Sequence, residues 1–88
     1  MAARVFVTDS ALRGEAFVLS GRVVSGEVGA GMELVVTANS MLGLVTVIDE
    51  VERGDGPEVR LVVRNADDVE MLAGLDVREE EVEVRPGG

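Results

Sequence analysis

A chain of 88 residues with eight arginines and no lysine against 17 Asp and Glu, for a net charge of −9, has the length of one domain and lacks the basic footprint that binds nucleic acid. An apolar content of 47% excludes disorder, and the absence of cysteine excludes disulfides and thiolate metal sites. No apolar run approaches the ~20 residues of a membrane helix. The opening MAARVFVTDS turns polar too soon for a secretory segment, so the expectation is a soluble, cytoplasmic protein with no membrane or DNA partner.

Residues 4–8, RVFVT, are a β-branched run and read as a first strand. DSALRGE follows as a loop that turns at Gly14. Residues 16–25, AFVLSGRVVS, read as a long strand with Phe17, Leu19 and Val23 on one face and Gly21 among them. A glycine inside a strand marks a bulge, a bend or the close approach of another backbone. Residues 26–31, GEVGAG, form a turn region, and residues 32–37, MELVVT, alternate again with Met32, Leu34 and Val36 on one side. ANS at 38–40 is a turn signal, residues 42–51 are a further strand, and ERGDGP at 52–57 is a break with Asp55-Gly56 as its turn pair.

Residues 58–64, EVRLVVR, place Val59, Leu61 and Val63 on one face and arginines on the other. Residues 65–74, NADDVEMLAG, are the one helical candidate. Asn65 or Asp67 can cap it, Asp68 and Glu70 suit its positive end, and Gly74 can close it. It is too short to stand without packing. Residues 75–85 return to strand character with a change of parity, Leu75 and Val77 odd, Val82 and Val84 even; a turn or bulge is expected at 79–81 between two short strands. The tail RPGG, 85–88, is expected to fray. Short strands, regular turns and one helical turn describe an antiparallel β-barrel or a tightly closed sandwich. The reading adopted is all-β: one domain, residues 1–88, folded as a small closed antiparallel β-barrel of about six strands with one short helical turn. With only Phe6 and Phe17 aromatic, its core must be valine, leucine and methionine.

The glycine-rich stretch 20–31, SGRVVSGEVGAG, invites a phosphate-loop reading, which its surroundings oppose. A Walker loop needs a lysine and the chain has none; a dinucleotide fingerprint opens a helix, whereas a strand follows here. Without histidine, cysteine, lysine or tyrosine the commonest bases and nucleophiles are missing, so a non-enzyme with no catalytic residue, cofactor or metal is expected. Asp67, Asp68 and Glu70 are more simply helix caps than a site. Glu79, Glu80, Glu81 and Glu83 are more simply a solvated acidic face than a calcium site, which needs six to eight converging oxygens. Arg22 and Arg60 point outward, to pair with carboxylates in preference to contacting a phosphate. Met41 and Leu42, in SMLG after a turn, form a candidate partner contact, with plugging of the barrel end as the favoured alternative.

FVLSGRVVSGEVGAGMELVV, residues 17–36, resembles the second domain of translational GTPases, the β-barrel that follows the G domain in elongation factor Tu and its relatives. The family motif runs T-G-R-V, two residues, G, then G-[DM] before the next strand. Gly21, Arg22, Val23 and Gly26 resemble its first part, together with Ser20; Val28, Gly31 and Met32 resemble its second. RVFVTD at 4–9, VTVIDEV at 45–51 and VRLVVRNADDVEMLAGLDV at 59–77 are similar to the family's first strand, a later strand and its strand with acidic helical turn. The resemblance covers nearly the whole chain, without a G domain or third domain, and GDGPE at 54–58 replaces the segment that forms the tRNA pocket. It implies a structural role for the motif glycines and no GTP hydrolysis.

Two functions are therefore carried forward. The first is a non-catalytic binding module, a translation-associated accessory or fragment docking on a protein partner, RNA (tRNA or ribosomal) being disfavoured by charge. The alternative is a protein–protein interaction or oligomerisation module unrelated to translation. Clustering of Arg13, Arg22, Arg53 and Arg60 on one face favours the first; an acidic surface broken only by an apolar patch near Met41 favours the second.

Overall fold

The computed structural model describes residues 2–37, 43–75 and 77–87. Seven strands form in chain order, β1 (Ala3–Arg13), β2 (Ala16–Ser25), β3 (Glu33–Thr37), β4 (Gly43–Val47), β5 (Glu50–Arg53), β6 (Glu58–Val63) and β7 (Glu80–Arg85), with one helix, α1 (Ala66–Gly74), between β6 and β7. They make a single antiparallel sheet in the order β4-β3-β7-β1-β2-β6-β5. The sheet is curled, and its concave side carries the core. Val5 and Val7 of β1, Leu19 of β2, Leu34 and Val36 of β3, Leu61 and Val63 of β6 and Val84 of β7 are all buried there.

The expected closed barrel of about six strands is corrected to a seven-stranded half-barrel. The seventh strand arises because the run 42–51, expected as one strand, is split. Ile48 is fully buried; its N–H donates to the Met32 carbonyl at 2.9 Å, on the β3 side. The next N–H, of Asp49, donates to the Val62 carbonyl at 2.9 Å, on the β6 side. Two adjacent residues thus serve opposite ends of the sheet. β4 and β5 become its two edge strands, joined covalently and unpaired with each other. α1 spans the opening. It leaves β6 on one flank, and its Asp68 accepts a 2.6 Å hydrogen bond from the Thr46 hydroxyl of β4 on the other, while Val69 and Leu72 enter the core.

Three other expectations shift. The loop expected at 9–15 is strand as far as Arg13, because pairing with β2 carries β1 on to a two-residue turn at Gly14 and Glu15. Of the two short strands expected in 75–85 only β7 forms among the described residues; Leu75 caps the helix and Val77 is buried outside any strand. The break falls at Glu79, in the left-handed region at φ 53, one residue before β7. Asn65, not Asp67, caps α1, its Oδ1 accepting from the N–H groups of Asp67 and Asp68 at 3.1 and 3.2 Å. No helix among the described residues is long and apolar enough to cross a membrane.

Candidate functional site

The convex face of β2, β6 and β5 carries a recess of about 440 Å³. Its floor is Gly21. A side chain there would collide with the backbone of Phe6 and Val7, so β1 and β2 approach more closely at this point than any other residue would permit. The β1–β2 register slips between Val7 and Asp9, and the intervening Thr8 turns its hydroxyl to donate to the Ser20 carbonyl at 3.1 Å. The expected bend at Gly21 is thus a close approach beside a bulge, and the space a side chain would take is filled by the Phe6 and Val7 backbone.

The sheet register then sets the walls. Ser20 pairs with Arg60, and Arg60 with Glu52; Arg22 pairs with Glu58 on one side and Phe6 on the other. The Arg22 guanidinium lies over the Phe6 ring, 4.9 Å from its centroid, an arrangement that holds a long side chain by cation–π attraction. Arg53 donates from Nη2 to the Val28 carbonyl at 2.5 Å. Glu52 sits between Arg13 at 3.4 Å and Arg60 at 3.8 Å. These pairs are more than one-third exposed, so each contributes little to stability; their effect is to fix direction.

Of the four arginines 13, 22, 53 and 60, Arg22 and Arg60 line the recess from the convex face, Arg53 reaches it from the position opposite buried Val59, and Arg13 stands outside it beside Glu52. With Glu52, Asp55 and Glu58 alongside, the balance in the recess is three arginines to three carboxylates, against 8 to 17 for the chain. Arg60 pairs with a carboxylate as expected; Arg22 turns to an aromatic ring instead. The pairing of Arg22 with Phe6 had no sequence signal, because it depends on which residue β1 brings opposite. A second hollow of about 740 Å³ under the 26–32 turn shares Arg53 with the first.

The remaining motif residues hold the architecture. Val23 packs against the core and its N–H donates to the Pro57 carbonyl at 2.9 Å. Gly26 has φ 76 and sits so close to Ala3 that a Cβ would press on it; the Gly31 N–H donates to the Ile48 carbonyl at 2.8 Å. Asp68 ties the helix to β4. Glu81 and Glu83 share the convex face, with Val82 and Val84 buried between them, and Glu81 pairs with Arg4 at 3.2 Å. Met41 and Leu42, the expected partner contact, lie outside the described residues. No family model, curated protein or solved structure matches the chain.

Proposed function

We propose that the chain is a non-catalytic binding module that docks on a protein partner through the arginine-lined face of β2, β6 and β5. The observation that carries this reading is the state of Arg22 and Arg53. One rests on an aromatic ring and the other on a backbone carbonyl. Among the described residues neither is engaged by a carboxylate, in a chain with 17 of them. Their remaining N–H groups are oriented in advance, and an arginine that loses little freedom on binding is the kind of residue that anchors an interface. The carboxylates interspersed along the same walls suit a mixed-charge protein surface better than a phosphate backbone. The translation-associated, cytoplasmic setting rests on the sequence resemblance to the second domain of translational GTPases.

The test is a capture experiment from cell lysate, at low and high salt, with the native chain and an Arg22→Ala, Arg53→Ala double variant. The expected outcome is a protein of the translation machinery, recovered after ribonuclease treatment and lost with the variant. Equal recovery by both chains would remove the arginine face from the interface. Salt-sensitive recovery of RNA in place of protein would assign the face to RNA.

A further inference from the structure

The two edges of the sheet are built differently. β5 is four residues long and three of them, Glu50, Glu52 and Arg53, are charged, the usual protection against edge-to-edge pairing. β4, GLVTV, is the only one of the seven strands with no charged residue. Its outward side chains Val45 and Val47 are 45% and 50% exposed. Its backbone direction follows from Ile48. Because the Ile48 N–H points to β3, alternation turns Thr46 and Leu44 to β3 as well and aims the N–H and C=O groups of Gly43, Val45 and Val47 at the open edge.

We propose that two copies of the chain pair antiparallel along β4 about a two-fold axis through Val45, so that two sheets continue as one. The free groups lie symmetrically about Val45. In this register Val45 exchanges both hydrogen bonds with its own counterpart, and Gly43 does so with Val47. On the convex face Val45 meets Val45, and Val47 lies over Gly43, which leaves room for it. Charge selects the same occupant. A basic foreign strand would find no carboxylate on β4, and two beside it are already bonded, Glu33 opposite Val47 to Arg85 at 2.9 Å and Asp68 to the Thr46 hydroxyl at 2.6 Å. Two −9 chains meet here through an uncharged strip, and at physiological salt charges more than about 8 Å away are largely screened. This interface stands apart from the arginine face and does not depend on it.

The chain has no cysteine, so an introduced one reports the register directly. The axis sets the two Val45 Cα atoms about 5.5 Å apart, within disulfide range, and the two Val47 Cα atoms roughly 13 Å apart. With a thiol oxidant, the Val45→Cys variant should form a covalent dimer at least about tenfold faster than Val47→Cys. Sedimentation of the native chain over a concentration series should show a monomer–dimer equilibrium that added salt leaves intact or strengthens. Val45→Lys should be monomeric while keeping the native circular dichroism and melting midpoint. A native chain that stays monomeric at millimolar concentration, equal cross-linking at the two positions, or a folded Val45→Lys variant that still dimerises would each overturn the proposal.

Discussion

Gly21 and Gly29 stand in the same glycine-rich region and do different work. A Cβ on Gly21 would enter the Phe6 carbonyl, and the obstacle is backbone in a paired strand, which cannot step aside. Gly21→Ala should therefore cost about 3 kcal/mol or more, a large part of the roughly 4–13 kcal/mol available to a chain of this length. Gly29 has no neighbour within 4 Å and is not in the left-handed region. Gly29→Ala should leave stability unchanged or raise it by up to about 1 kcal/mol, by restricting the unfolded chain. Urea titration of the two variants checks both. Chain position alone gave Gly21 its meaning, since a glycine among inward-facing apolar residues of a strand signals a close approach. Which backbone approaches depends on the β1 bulge. A bulge is set by pairing between strands and leaves no mark in either strand by itself.

At the scale of elements, α1 is held by its cap and by a tie to β4. Asn65→Ala should cost about 1 kcal/mol, the usual loss when an N-cap acceptor is removed. Thr46 is 2% exposed, and its hydroxyl donates to a half-buried carboxylate, so the pair should be coupled. A double-mutant cycle of Thr46→Val and Asp68→Ala is expected to give about 1–2 kcal/mol of interaction; additive losses would mean that the helix closes the half-barrel by apolar packing alone. β2 was legible to its last residue, because the turn glycines Gly14 and Gly26 bound its apolar run on both sides. The split of 42–51 was not read, although a trace of it is present. Leu44, Thr46 and Ile48 face inward on even numbers, whereas Val51, packed against the core, is odd. The parity change that marks the break before β7 marks this one too. What hides it is the β-branched run 45–48, which favours extended backbone right up to the bend.

At the scale of the molecule, the sheet depends on β7. It lies between β3 and β1, with Val84 beside Ala3 on one side and Leu34 on the other. Without it the order β4-β3-β7-β1-β2-β6-β5 falls into a two-strand and a four-strand piece. A two-stranded piece is at best marginal in water, and the other loses the core residues Leu34, Val36, Leu44, Val82 and Val84. A chain ending at Glu79 should therefore show no cooperative thermal transition by circular dichroism, and a synthetic peptide of residues 78–87 added in trans should restore one. A sharp transition in the shortened chain would mean that the four-strand piece folds alone. The alternation within each strand made the all-β class readable; the open, curled arrangement was not readable, because it rests on where one strand bends and on which strands become neighbours across long separations.

The central place of β7 also governs the order of events during synthesis. The strand that joins the two halves of the sheet is the last of the seven to leave the ribosome. Until it arrives, β1 and β3 present valine-lined flanks with nothing between them, and the half-made chain can bring β3 and β4 together but cannot attach them to the rest. Contacts between distant parts of a chain form slowly, and open strand edges are prone to wrong partners. The time these edges spend exposed before β7 arrives is set by the rate of translation.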